Sequence, residues 1–505
     1  MKRPRTAIIA VLIVALLATG TAQILVQQQR EKMHAPGAAG QQSTSSLSRM
    51  DSYALALLLG GLRGPLVMFL WTQSESQKGN RDLQGIDTQI EWIRLLQPEF
   101  DTVHLFQIWN KAYNLSVQMA ALSNKYATIL DAIDYGQSVD RERPDNINII
   151  SQIGSVYGDK LGGSQEKDYY RRRARQDTAY NASRVNRVVA SGQRHFSMPV
   201  LLNADGNLIA RELRPRLDPP LSATTPVAQT YNGAELEYLK DYQPFPSGVS
   251  TLALAYNYYK RAQVLQDLTG QRHIQMGDAV LDSRPALALE NWGTEEWEVG
   301  RRCEIEAWGM KPPYEKHQLD APTAAVSLTS LSPEQLAAGS ARLDEAALAY
   351  ARAVLVFDNA LKEYRRHLAN PQYADNAGRY RSHMDHIVAS RQMLTADLAF
   401  LSAVRRDGKD RDVQVAAARQ GYHQASRLFK LIRLRYFVQD NIRAAAFPPG
   451  ITLQTLDQMT DVQIDTMTRE VERRVRAQGW DSNSDDVGEY ISYVQRCTAR
   501  LNTLQ

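Results

Sequence analysis

The chain has 505 residues and only two cysteines, Cys303 and Cys497, which form no CxxC or zinc-ligand spacing. In an oxidising compartment they either pair or stay as two buried thiols, and the sequence leaves both open. An excess of one charge is also lacking. Lys and Arg number 59 against 55 Asp and Glu, a net charge of +4. That imbalance is too weak to imply a nucleic-acid partner. The signatures of common enzymes are absent too. No GxxxxGK[ST] or GxGxxG phosphate loop occurs, and Gly158, Gly162 and Gly163 do not follow a strand. No Gly-x-Ser-x-Gly nucleophile elbow and no His-Glu-x-x-His zinc pattern is present. No catalytic residue, cofactor or metal site is therefore expected.

The first thirty residues carry the strongest signal. Lys2, Arg3 and Arg5 precede an uncharged stretch from Thr6 to Gln29. About 20 apolar residues span the hydrocarbon core, and Ala7 to Val26 meets that length. Basic residues before the span stay in the cytoplasm. The sequence thus predicts a single-pass inner-membrane protein with a cytoplasmic N-terminus and an extracytoplasmic, periplasmic body. The rival reading is a signal peptide cleaved near Ala22, at Gly20-Thr21-Ala22. Ile24-Leu25-Val26 continues the apolar run past that point and favours an anchor. Residues 30–50 are rich in Gln, Ser, Ala and Gly and read as a flexible tether. A second apolar run, Tyr53 to Trp71, holds Arg63 in its middle. A charge at mid-bilayer is costly, so this run reads as a buried soluble helix pair.

Hydrophobic residues at 44% and charged residues at 23% are those of a globular body able to bury a large core. The predicted fold is mainly α. Ile86, Ile90, Ile93 and Leu96 form one apolar stripe at helical spacing. Leu105, Ile108, Ala112, Leu115 and Met119 form a second; Tyr126, Ile129 and Ile133 form a third; Ile147, Ile150 and Ile153 begin a fourth. Pro98 and Pro144 punctuate these helices. Residues 194–248 change texture. Asp205-Gly206 between apolar runs predicts a small β-hairpin, and Pro215, Pro219, Pro220 and Pro226 an irregular connection. Helices resume over 249–330. The last region, 331–505, predicts an antiparallel bundle. Ser332-Pro333-Glu334 starts a helix. Leu343, Ala347, Tyr350, Val354, Phe357, Leu361, Tyr364 and Leu368 then make a heptad seam, which two further helices repeat. Asn370-Pro371 and Asp407-Gly408 mark the short connections that make neighbours antiparallel.

The stretch from Gly64 to Asp145 resembles degenerate tetratricopeptide (TPR) repeats of a bacterial membrane-anchored type. Helices end near a proline, and Trp71, Trp92, Trp109, Tyr113 and Tyr135 supply the aromatics of the crossings. The resemblance implies a TPR-like array over 51–193 whose concave surface binds peptides or partner proteins.

Candidate partner-contact residues are Trp109, Tyr113, Tyr169, Tyr170, Arg171, Arg172, Tyr242, Phe245, Tyr256 and Tyr259. The alternative for Tyr169 to Arg175 is a solvated helical face paired with nearby acids. His383 and His386 lie one turn apart without a third ligand and read as half-exposed bundle residues. Trp292, Glu296, Trp297, Glu304 and Trp308 form a Trp- and Glu-rich segment, as in a glycan cleft. Its plainer reading is a wet helical face with Trp at the core edge. The leading expectation is a membrane-tethered scaffold for protein–protein interaction. The alternatives are a glycan-binding or glycan-processing protein using residues 292–308, and an envelope component that self-associates through 331–440.

Overall fold

The computed structural model describes residues 66–70, 72–73, 89, 92–93, 96, 101–143, 145–176, 250–274, 276–313, 319, 332–439, 443–478 and 485–504. The N-terminal apolar segment, the tether, the predicted hairpin, Tyr242 and Phe245 lie outside them. Among the described residues 86% are helical and none is in a strand. The chain divides into two compact units, Met1–Val156 and Tyr157–Gln505.

In the first unit, α1 (Asp101–Trp109) runs on through a π-helical turn, Asn110–Leu115, to Gln118. Met119 turns extended and ends it. Helices α2 (Leu122–Glu142) and α3 (Ile147–Ser155) follow. The Asn146 side chain caps α3 by accepting from the backbone N–H groups of Asn148 and Ile149. The second, third and fourth predicted stripes supply buried faces: Ile108, Ala112, Tyr126, Ile129, Ile133, Ile147, Ile150 and Ile153. The three helices converge on Gly136. A Cβ there would meet Ile153 at 2.8 Å and Ile108 at 3.1 Å, so a side chain would force them apart.

The second unit contains α4 (Lys167–Gln176), α5 (Thr251–Thr269), α6 (Asp278–Ala307), α7 (Pro333–Leu368), α8 (Ala377–Val404), α9 (Gly408–Gln439), α10 (Leu453–Asp457), α11 (Asp461–Ala477) and α12 (Asp485–Thr503). Helix α4 lies in this unit. Helices α5 to α9 pack in series, and α12 packs along α9. Their register is antiparallel. Asp358 of α7 pairs with Arg391 of α8, and Asp344 with Arg405 just past the end of α8; Gln392 bonds Gln424 and Asp397 bonds Tyr422 between α8 and α9. Ser332 and Gln335 form a reciprocal capping box at the start of α7, with Pro333 at its first position. Helix α8 is long and apolar enough to cross a membrane, but 61% of that stretch is buried inside the unit. It is a core helix of the bundle.

Helices α6 and α7 form the closest pair. Phe357 lies over Gly293, where a Cβ would sit 2.5 Å from its ring, and Tyr350 lies over Gly300. The steps are seven residues on each helix, in opposite directions. At the far end Gly339 faces the Ala307 carbonyl so closely that any Cβ would overlap it. The heptad period of α7 is as predicted, but its phase is corrected. The buried series is Leu343, Ala346, Tyr350, Ala353, Phe357, Ala360, Tyr364 and His367. Ala347, Val354 and Leu368 are only half-buried. Small alanines between large aromatics let α6 approach, and that approach turns the alanine edge inward. A smaller apolar cluster joins α9 to α10 and α11 through Leu434, Phe437, Leu456, Ile464, Val471 and Val475.

Candidate functional site

The chemistry of the second unit is concentrated along α6. Its carboxylates Asp282, Glu290, Glu295, Glu296, Glu298 and Glu304 are all buried. A wet helical face was the plainer expectation for the Trp- and Glu-rich segment, and burial corrects it. Trp292 and Trp297 are fully buried beside these acids. A helix enclosed on several sides has no wet face, and an ionised carboxylate is tolerated there only with paired, hydrogen-bonded charge. Four groups of partners meet that need.

The first surrounds Glu295 and Glu296. Arg175 of α4 reaches both, at 2.9 Å and 2.8 Å. Arg352 of α7 binds Glu296 Oε2 through Nε and Nη2, at 3.0 Å and 2.7 Å. Trp292 Nε1 donates to Glu296 Oε1 and Ser250 Oγ to Glu295. Burial pushes the Arg175 pKa down, but the two carboxylates outweigh it and hold the guanidinium more firmly protonated than usual.

The second group lies two turns on, at Glu304. Arg500 pairs with it and Arg496 lies 3.6 Å away, both from α12. Tyr350 donates to its Oε2 at 2.7 Å. Arg496 also reaches Asp397 of α8 at 2.9 Å, and Tyr422 donates to that carboxylate at 2.6 Å. Burial works to raise the Glu304 pKa, yet the two arginines bring it below the ordinary carboxylate value. Asp397 goes the other way. Its burial and the neighbouring Glu304 charge exceed what Arg496 returns.

The third group is the Glu298–Arg302 pair at 2.9 Å, where Arg302 also donates to the Pro313 carbonyl. The fourth joins α6 to α7 and α8. His367 Nδ1 lies 2.5 Å from Asp282 Oδ2, and Arg366 pairs with the same carboxylate. Glu290 Oε2 accepts from Tyr364 at 2.6 Å and from His383 Nδ1 at 2.9 Å.

These contacts locate the candidate residues that are described. Glu296 and Glu304 sit eight residues apart, about 12 Å along a helix, which is wider than the paired carboxylates of glycosidases. Both are fully buried and bound by arginines. Trp308 closes the C-terminal end of α6. Tyr169, Tyr170, Arg172, Tyr256 and Tyr259 are core residues, so neither a contact surface nor a solvated face describes them. The α4 stripe turns inward because Glu295 and Glu296 hold Arg175. Arg171 is half-buried and donates to the Gly162 carbonyl. Trp109 is different: it is 39% exposed, with Tyr113 stacked on it at 6.4 Å and Phe106 at 6.1 Å. His383 and His386 are both half-buried, and they diverge. His383 pairs with Glu290, whereas His386 packs against Tyr490 and Tyr493. Among the described residues no group of three or more His, Cys, Asp or Glu is placed to hold a metal. Cys303 and Cys497 are separate buried thiols.

The arrangement is an electrostatic lock. Arginines and tyrosines from α4, α7, α9 and α12 are aimed at fixed carboxylates on α6 and α8. Such a network specifies one packing of helices. Arg352, Arg496 and Arg500 are its main elements that motif reasoning missed. Their signal is a basic residue inside an apolar stripe: Ala349, Arg352, Ala353 and Val356, then Tyr493, Arg496, Cys497 and Arg500. Comparison with protein-family models, with curated proteins and with solved structures found no match for this chain.

Proposed function

We propose that the protein is a membrane-tethered, extracytoplasmic helical scaffold that holds partner proteins near the membrane. The anchor is the charged-then-apolar segment Lys2 to Gln29, and residues 30–50 are the tether that follows it. The body is TPR-like helix pairs followed by a bundle with an internal charge lock. The observation that carries the reading is the exposed aromatic edge of α1. Trp109 is solvent-accessible with Tyr113 stacked beside it, and exposed aromatic residues are favoured anchors of protein interfaces. Met68, Phe69 and Trp92 are further large exposed apolar side chains of the same unit. Glu296 and Glu304 of α6, the other candidates for chemistry, are bound by arginines of other helices.

The test is crosslinking in cells that express the full tagged chain, with Trp109→Ala alongside. A stoichiometric partner captured by the unaltered chain and lost with Trp109→Ala supports the scaffold. Recovery of the protein alone, or unchanged capture by the variant, overturns this assignment of the surface.

A further inference from the structure

Helix α12 carries one buried stripe, Tyr493, Arg496, Cys497 and Arg500. It lies along α9, but its two arginines reach other helices. Arg500 pairs with Glu304 of α6 and stacks over Phe400 of α8 at 3.9 Å. Arg496 bridges Asp397 of α8 and Glu304. Tyr493 packs on Trp297 of α6 at 5.0 Å and on Phe429 of α9 at 4.9 Å. Tyr350 of α7 and Tyr422 of α9 donate to the same two carboxylates. Two acids from two helices thus meet two guanidiniums, and α12 supplies both cations.

This distribution has a consequence for opening. If α12 leaves, Glu304 and Asp397 lose both balancing charges at once. Complete departure lets water reach both acids; halfway, water is still excluded and one buried charge stands unpaired, which costs more than either end state. Partial docking is therefore penalised. We propose that α12 is a charge-keyed clasp: it docks and undocks as a single unit, separately from α7, and its undocking uncovers Trp297 and Phe429 together with Glu304 and Asp397.

Hydrogen exchange read by mass spectrometry on the full chain in detergent micelles tests this. Segments 490–503 and 346–364 are compared. The clasp predicts one shared rate across 490–503, faster than that of 346–364. Arg500→Met should raise exchange of 490–503 on the order of a hundredfold while 346–364 changes little. Adding Glu304→Met removes the unpaired acid and should return 490–503 toward the unaltered rate. A gradient of rates from Thr503 inward, which is simple fraying, would overturn the clasp. So would one common rate for both segments, or no effect of Arg500→Met. Should that variant lose its helicity, the unaltered chain carries its own reporters. Cys497 sits on α12 and Cys303 on α6. Maleimide should label Cys497 faster than Cys303; equal labelling rates reject the proposal.

Discussion

Tyr350 donates its hydroxyl to Glu304 at 2.7 Å while its ring lies over Gly300, one turn earlier on the same helix. The ring needs the missing side chain, and the carboxylate needs the hydroxyl. Gly300→Ala pushes a methyl group into the ring and should destabilise the second unit by about 1–3 kcal/mol. Tyr350→Phe removes a hydrogen bond to a buried charge and should cost about 1.5–3 kcal/mol. Urea denaturation midpoints of the two variants measure both. A Gly300→Ala midpoint equal to that of the unaltered chain would show that α6 and α7 are not this close.

Arg352 binds Glu296 through two nitrogens of its planar fork. Arg352→Met leaves Arg175 as the remaining guanidinium on that carboxylate. The expected loss is about 3–5 kcal/mol, the usual consequence of breaking a buried pair from one side. Arg352→Lys should recover only part of it, because an ammonium lacks the two-pronged geometry. Full recovery with Lys would mean that charge alone matters here.

His383 offers a pH test. Burial lowers its pKa, but the hydrogen bond and charge of Glu290 outweigh burial and leave it above the ordinary 6.5. A raised folded pKa means that the folded state holds the proton more tightly. The stabilisation is complete below pH 6.5 and is lost as pH rises through the folded value. Midpoints measured from pH 6 to pH 9 should fall for the unaltered chain, and His383→Gln should flatten that part of the profile. An NMR titration placing the His383 ring below 6.5 would contradict the assignment.

Cys303 packs toward Glu345 on α7, and Cys497 toward Met393 on α8. Protein purified from an oxidising compartment and unfolded without reductant should therefore show two titratable thiols. One or none would mean that they have paired or been oxidised.

The Ser332–Gln335 capping box satisfies backbone donors at the start of α7. Ser332→Ala should cost about 1 kcal/mol. Its effect should add to that of Arg352→Met, since the two sites share no partner. A clear departure from additivity would mean that the cap and the charge lock are coupled.

Much of the helical layout was legible in the sequence, because helix periodicity and caps are local. The stripe Leu105, Ile108, Ala112 and Leu115 is the buried face of α1 and its π-helical turn. Ser332-Pro333 starts α7, and Gly408 begins α9 in the left-handed region. The heptad of α7 was legible in period and misread in phase. Leu361 and Ala360 are both buried, and only the partner helix decides which edge forms the seam.

The charge lock was not legible, because a sequence shows which residues are acidic but not which of them meet a guanidinium. Glu296 and Glu304 read as a solvated or ligand-binding face. Their partners lie far off, at Arg175, Arg352, Arg496 and Arg500. Pairing across so many residues depends on how helices stack, and the strength of each pair depends on the burial that stacking creates. The sequence by itself determined that the body is helical, where α7 and α9 begin, and that no familiar catalytic motif is present. The tertiary structure alone decided that Tyr169, Tyr256 and Tyr259 are core, and that Glu295, Glu296 and Glu304 of α6 are locked by arginines from other helices. Local propensity reaches a few residues along the chain, whereas a buried charge is defined by everything that excludes water from it.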